Sequence, residues 1–235
     1  MKKLPVLFLA FIVAANAAAY NDSDNHGFEF SAGIEFGIEN VNYDADPYIA
    51  PIFAGEIFFL DGSVELGIGL RYYFFFNRVN DNGRDVFPQR LGLEFGLAYN
   101  LALGDASTLS FILENENTFS FVPTVKTKGT FMPALRFTQE LDFGDVYAQL
   151  GIPFHYMPGD DFGISGELSF GWQSNFGLYL GLAASFSLLH EIEFEGMEMK
   201  ISHSFRNFTF FARCEFEMCS GGVRISPAIG FMHSF

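Results

Sequence analysis

The chain reads as an all-β protein, an antiparallel β-barrel whose strands cross a membrane. Three observations predict this. Segments of about ten residues alternate strictly between apolar and polar side chains, which is the period of a strand with two different faces. Phe and Gly are abundant, 32 and 24 of 235 residues, where ordinary globular usage is far lower. Lys is scarce: beyond Lys2 and Lys3 only Lys126, Lys128 and Lys200 occur. A soluble all-β protein normally keeps its exposed faces and edges wet with Lys. Phe suits a lipid-facing strand position, and Gly suits crowded interior positions and turns.

The amino-terminal segment is set apart from the rest. Met1-Lys2-Lys3 is basic, Leu4 to Ala15 is apolar apart from Pro5, and Ala15-Asn16-Ala17 and Ala17-Ala18-Ala19 offer small residues for cleavage. This is the pattern of a secretory signal peptide over residues 1–19, too short to span a bilayer as a helix. Residues 20–26 then form a short periplasmic tail, and residues 27–235 form one barrel domain. No Cys lies near the cleavage site, which argues against a lipid anchor.

The strands follow in order. Phe28, Phe30, Ala32, Ile34, Phe36 and Ile38 alternate with Glu29, Ser31, Gly33, Glu35, Gly37 and Glu39. Residues 49–60 make a weaker strand, interrupted by Pro51. Val64 to Asn77 and Leu91 to Leu101 show the clean dyad again. Residues 109–121 are weakened by Asn115-Glu116-Asn117, and residues 131–141 are also less regular. Val146 to Tyr156, Ile164 to Trp172, Leu178 to Leu188 and Phe208 to Cys214 alternate well. Residues 191–201 are the most ambiguous. Val223 to Phe235 is the clearest, with Val223, Ile225, Ile229, Phe231 and Phe235 on one face and Arg224, Ser226, Ala228, Gly230 and Ser234 on the other. Tight turns are expected at Asp61-Gly62, Gly104-Asp105, Gly144-Asp145 and Ser174-Asn175, with longer polar loops at 40–48, 78–89 and 122–130. An even strand number is required, and twelve fits if 191–201 is a strand. Ten follows if it is a loop and one weak strand drops out, and eight if several segments are hairpin extensions.

The terminal strand resembles the carboxy-terminal strand of bacterial outer-membrane β-barrel proteins, closing on Phe235 with Phe231 in phase. The resemblance implies residence in the bacterial outer membrane. It also implies that Phe231 and Phe235 form a signal read by the barrel-assembly machinery. It is one of architecture, with no motif that assigns a subfamily. A soluble secreted sandwich or lipocalin-like barrel is the rival, and its apolar face would point inward.

With the apolar face toward lipid, the other face lines the lumen. Glu29, Glu35, Glu56, Glu65, Glu94, Glu140 and Glu167 lie there with Arg71, Arg136, Arg213 and Arg224. Ionisable groups inside a barrel need partners or water. They read as the lining of a passive pore for small solutes, whose acidic walls favour cations. The alternative is a non-conducting, structural or surface-binding (adhesin-like) barrel with Glu–Arg pairs filling the interior. The net charge of −15 leaves no electrostatic reason to bind nucleic acid. His155 and His190 raise the reading of a lipid-modifying rim enzyme; His155 falls on the lumen phase near the external rim, and such an enzyme would need a Ser or acid beside a His. No Gly-x-Ser-x-Gly occurs, and His26, His203 and His233 show no metal spacing, so neither catalysis, metal nor cofactor is expected. Cys214 and Cys219 flank four residues and are expected to form a disulfide across the last hairpin. Tyr43, Tyr48, Tyr72, Tyr73, Tyr99, Tyr156 and Trp172 read as interfacial girdle residues. Lys126 and Lys128 make a basic spot in an external loop, solvated or meeting lipid phosphates. The absence of a long constriction-loop insertion points to a monomer.

Overall fold

The fold is described from a computed structural model, which describes residues 27–41, 44–60, 62–81, 83–122, 126–157, 162–188, 192–219 and 222–235. The proposed signal peptide, tail and cleavage site lie outside these residues, as do Tyr43 and His190.

The strands run in chain order: β1 Gly27–Val41, β2 Asp44–Phe59, β3 Val64–Phe75, β4 Val79–Asp81, β5 Arg84–Val86, β6 Gln89–Ala102, β7 Ser107–Val122, β8 Lys126–Leu141, β9 Gly144–Gly151, β10 Phe154–Tyr156, β11 Gly163–Ser174, β12 Leu178–Ser187, β13 Glu193–Phe205, β14 Phe208–Cys219 and β15 Gly222–Ser234. Each pairs antiparallel with the next along one sheet, and β4 and β5 form a separate hairpin. β9 and β10 are one strand in two pieces. Both pair with β8 and β11 in continuous register, and the gap falls at Pro153, which has no N–H to donate. The last strand returns to the first, with Ser31 opposite Ser234 and Gly37 opposite Ala228. The sheet is therefore a closed antiparallel barrel of twelve strands.

Closure is the physical reason the alternation is so strict. In lipid every backbone N–H and C=O must be paired within the protein, and a closed sheet leaves no edge. Among the described residues of the barrel strands, the register puts Asp, Glu, Lys and Arg on the inner face. The outer face presents Phe36, Ile68, Phe95, Phe111, Leu150, Phe170, Leu182 and Ile229, all exposed. On β6 the apolar outer run Leu91 to Leu101 covers roughly 33 Å of strand, or about 25 Å along the axis at a tilt of ~40°. That matches the apolar band of a membrane barrel and excludes the soluble rival, which would have buried these side chains.

At the end where β1 begins, the connections are short. Gly62 and Gly177 hold φ of +81° and +87° there, a region that costs a side chain steric strain. Tyr99, Trp172, Phe143, Phe205, Phe208 and Phe235 gather at this end, with Phe143 6.4 Å from Trp172 and Phe30 5.8 Å from Phe235. Tyr72 and Tyr156 lie on the outer face at the other end. Tyr48 and Tyr73 do not join a girdle: they point inside and pack on each other at 5.2 Å.

Two expected loops are instead strand. β1 and β2 run on to Val41 and Asp44, and β8 begins at Lys126, so Lys126 and Lys128 stand on the inner phase opposite Ser120 and Thr118. Polar composition suggested loops there because strands extending beyond the bilayer carry water-facing side chains on both sides. The longest connection is 76–88, which contains the β4–β5 hairpin. Pro51 does not end β2. Its cost is local: the β2–β3 ladder pairs Ile49 with Phe74 and resumes at Ile52 with Arg71.

The two faces predict opposite responses to charge. Leu150→Arg, on the lipid face, should destabilise the folded barrel by about 2–4 kcal/mol if it lies near the bilayer midplane. Gln173→Lys, exposed on the inner face, should change stability little. Urea titration of the protein refolded in liposomes, followed by heat-modifiable gel mobility, separates the two.

Candidate pore lumen

Side chains from strands that are not neighbours meet inside the barrel, which fixes the inner face. Arg90 on β6 donates to Glu39 on β1 at 3.0 Å, and Arg213 on β14 donates to Glu35 on β1 at 2.9 Å. Glu29, Glu35, Glu56, Glu65, Arg71, Glu94, Arg136, Glu140, Glu167, Arg213 and Arg224 all stand on this face by register. So do Asp46, Glu114, Glu116, Glu198, Lys200, Glu215 and Glu217, and carboxylates outnumber cations.

The lumen is not uniform. One wall, built from β1, β2, β3, β6 and β14, is filled. Glu35 is fully buried, and its Oε1 accepts from Arg213 and from the Tyr48 hydroxyl at 2.8 Å. Tyr48, Ala50 and Phe75 pack as a buried cluster with Tyr73 against it. The Arg90 guanidinium lies 5.0 Å from the Phe75 ring centroid, a cation–π contact. Arg71 donates to the Tyr73 hydroxyl at 3.2 Å and reaches Glu94 at 3.6 Å. Gly37 leaves the space that Tyr48 occupies, since a Cβ there would collide with the ring. The arginines thus neutralise Glu35, Glu39 and Glu94 on this wall.

The rest of the interior is wet. Glu94, Glu116, Lys200 and Glu215 are exposed to solvent although they lie mid-strand on the inner face of a closed sheet, and the Glu94 side chain retains 46% of its accessibility. Glu116 on β7 and Glu215 on β14 belong to different walls, yet the charge of Glu116 is felt at Glu215. Toward the short-turn end a cavity of about 410 Å³ opens, lined by residues that include Glu65, Asn100, Thr108, Ser110, Arg136 and Thr138. Arg224 pairs with Glu217 at 2.7 Å near the other end.

His155 has neighbours that sequence reasoning did not find. Its Nδ1 is 3.1 Å from Thr130 Oγ1 and its Nε2 3.2 Å from Ser165 Oγ, while Ser165 donates to Glu195 Oε2 at 2.6 Å. Glu195 reaches inward because the β12–β13 register shifts between Ser185 and Phe186, an irregularity that no sequence period announces. This is a chain of hydrogen bonds but not a nucleophilic triad. The acid holds Ser165 and not the imidazole, and Ser165 is 1% exposed, so no acyl group could reach it. Among the described residues no His, Cys, Asp or Glu trio is placed to hold a metal.

The expected disulfide is overturned. Cys214 and Cys219 sit on one strand, β14, where they face Pro227 and Gly222 of β15. Five residues of extended chain separate them by about 17 Å, while a disulfide needs Cα atoms within about 7 Å. Cys214 is a free thiol on the outer face. β14 ends at Cys219 and β15 begins at Gly222, so both cysteines stand on the same arm of the last strand pair.

The sequence matches no family model, and no curated protein matches it. The fold, however, recurs in solved structures. The KdgM porin superposes with a TM-score of 0.54 at 10% identity, over 87% of this chain and 99% of that one. The same porin in complex with disordered oligogalacturonate gives 0.51 at 11% identity, over 87% and 99%. The outer membrane phospholipase A from Escherichia coli gives 0.50 at 11% identity, over 86% and 92%. The chain has the fold of bacterial outer-membrane β-barrels.

Two expected outcomes test this geometry. Glu35→Ala leaves the buried end of Arg213 uncompensated and should cost about 3–5 kcal/mol, whereas Glu35→Leu combined with Arg213→Leu should recover much of that loss. Urea unfolding in liposomes measures both. Alkylation of the unreduced, denatured protein should label two thiols per chain by mass spectrometry, and a single unlabelled pair would restore the disulfide.

Proposed function

We propose that this chain is a passive porin of the bacterial outer membrane, a channel for small hydrophilic solutes with a preference for cations. One observation carries the reading: carboxylates midway along the strands, Glu94, Glu116 and Glu215, are reached by water inside a closed barrel. A barrel plugged by its own side chains would have buried them. The fold shared with the KdgM porin supports the same reading. That porin has been solved in complex with disordered oligogalacturonate, but the present lumen does not suit a polyanion throughout, because carboxylates predominate on the inner face.

Cation preference follows from which charges are spent. Arg71, Arg90, Arg213 and Arg224 are each engaged with a carboxylate. Among the described residues Glu114, Glu116, Glu167 and Glu215 have no such ion pair, and they set the sign of the field along the solute path. Assembly by the barrel machinery through Phe231 and Phe235, release of residues 1–19, action as a monomer and lack of enzymatic activity belong to the same proposal. The fold is compatible with catalysis, since a phospholipase shares it, but Ser165 is buried and His155 lacks an orienting acid. A surface-binding role finds little support, because most connections at the far end are short.

Single-channel recording in a planar bilayer should show discrete openings, with a reversal potential under a KCl gradient that reports cation selectivity. Glu116→Lys with Glu215→Lys should reduce or invert that selectivity while leaving heat-modifiable mobility intact. Silence from folded protein would remove the pore reading, and unchanged selectivity in the double variant would remove the role assigned to these two carboxylates.

A further inference from the structure

The cavity near the short-turn end is built from three register rows. Asn100, Ser110 and Arg136 share one row across β6, β7 and β8, and Ala102, Thr108 and Thr138 share the next. Ala98 and Ile112 bound it on the mid-strand side, and Glu65 reaches it from β3, where it stands opposite Ala98. The small residues Gly62, Ala98 and Ala102 hollow the wall, and the space left is about 410 Å³, the size of a small-molecule site.

Much of the polar lining is uncommitted. Ser110 is only 6% exposed, yet its hydroxyl has no hydrogen-bond partner among the described residues, and neither have those of Thr108 and Thr138. A nearly buried hydroxyl without a protein partner is unfavourable unless the contents of the cavity satisfy it. Among the described residues of the barrel strands, Arg136 is the one inner-face arginine engaged with no carboxylate. Its Nε donates to Gln149 at 2.8 Å, and its guanidinium lies 4.8 Å from the Tyr147 ring centroid. These contacts fix the fork and leave both Nη groups without a hydrogen-bond partner among the described residues. Glu114 feels this charge but forms no ion pair with it. Across the cavity, Glu65 Oε1 accepts from Asn100 at 2.6 Å, and no cation pairs with the carboxylate among the described residues. Glu56 on β2 feels the charge of Glu65 and of Glu29, its register partner on β1, and like charges so placed repel.

The cavity thus has a negative end, a positive end and neutral hydroxyls between them. Glu65 and Arg136 stand three strands apart, about 14 Å along the wall at ~4.8 Å per strand. Both side chains lean inward over a concave surface, which shortens the gap between their charges. Three residues of extended peptide span about 10 Å. We propose that the cavity is a binding subsite for short zwitterionic peptides, with the terminal ammonium at Glu65 and the terminal carboxylate on the Arg136 Nη groups. Ser110, Thr108 and Thr138 then meet the peptide amides. A solute of single charge would use one end only, and among the described residues no carboxylate trio is placed to hold a metal ion instead. The subsite deepens the pore reading and rests on it for a role in transport, although binding itself does not require conduction. Weak binding at a wall site fits passage, since a solute must leave as readily as it enters.

The test adds trialanine to the short-turn side of the reconstituted channel. Controls are N-acetyl-trialanine, which lacks the ammonium, trialanine amide, which lacks the carboxylate, and free alanine, which is too short to reach both ends. Trialanine should cause transient closures, and each control should associate about tenfold more weakly, since each loses a charge-assisted contact. Glu65→Gln should no longer distinguish trialanine from N-acetyl-trialanine, and Arg136→Gln should no longer distinguish it from the amide. This crossed pattern ties each end of the peptide to one residue, which a general change in lumen charge would not do. If either charge variant fails to show heat-modifiable mobility, Ser110→Ala with Thr138→Val removes hydroxyls alone. That pair should weaken trialanine association and keep its advantage over both blocked forms. Equal closures from trialanine and its blocked forms, or closures unchanged in the variants, would overturn the subsite. A conducting channel that trialanine neither closes nor binds by titration calorimetry keeps the pore and drops the subsite. If the folded barrel does not conduct, calorimetry of the same peptides in detergent decides: the crossed pattern upholds the subsite and drops the pore, and no heat drops both.

Discussion

The pairing of β15 with β1 is the constraint on which everything else depends. A sheet left open between these strands would present a row of unpaired backbone groups to hydrocarbon, each costing several kcal/mol. Closure removes that edge, and it also divides every strand into a lipid face and a lumen face. The apolar outer belt and the confinement of charge to the interior are consequences of this one topological fact. Phe235 and Phe30 in contact at 5.8 Å place aromatic bulk beside the seam where the ends of the chain meet.

Concentrating charge inside creates a second problem, which the filled wall answers. Glu35 is fully buried, and isolated in that position its carboxylate would be prohibitively costly. Arg213 and the Tyr48 hydroxyl compensate it, and Tyr73 and Phe75 exclude water around them. The arrangement narrows one side of the lumen and ties β14 and β6 to β1 through the interior. The remaining carboxylates keep water as their partner. The interior is thus partly solid wall and partly solvent-accessible space.

Much of this was legible in the sequence, and the failures are instructive. The dyad period located the strands because a single-residue slip would have turned a charged face toward lipid. The alternation of Glu29, Glu35, Glu65 and Glu94 with large apolar residues placed them on the inner phase for the same reason. Three kinds of feature escaped. Strand extensions beyond the bilayer lose the alternation, so residues 40–48 and 122–130 read as loops. The inward turn of Glu195 arises from a bulge, which depends on partner strands and not on its own segment. The cysteine pair misled because spacing along the chain was taken for spacing in space; in an extended strand five residues separate two thiols more than a hairpin would.

Tyrosine shows the same limit from the other side. An aromatic near a strand end reads as a girdle residue, and Tyr72, Tyr99 and Tyr156 do lie on the outer face. Tyr48, Tyr73, Tyr147 and Tyr179 lie inside, and in each case phase decides and not proximity to the end. Inside a barrel a ring that lies down on its own wall needs a vacancy beneath it, and glycine on the same or the adjoining strand supplies it: Gly37 under Tyr48, Gly171 under Tyr147, Gly181 under Tyr179, and Gly230 under Phe211. The high glycine content of the polar phase is therefore not only a matter of turns. It maps where the wall has been hollowed to receive an aromatic ring. Those rings line two sides of the lumen: one where Tyr48 and Phe75 seal Glu35 away from water, and one where Tyr147 and Tyr179 lie on the wall beneath Arg136 and Lys200.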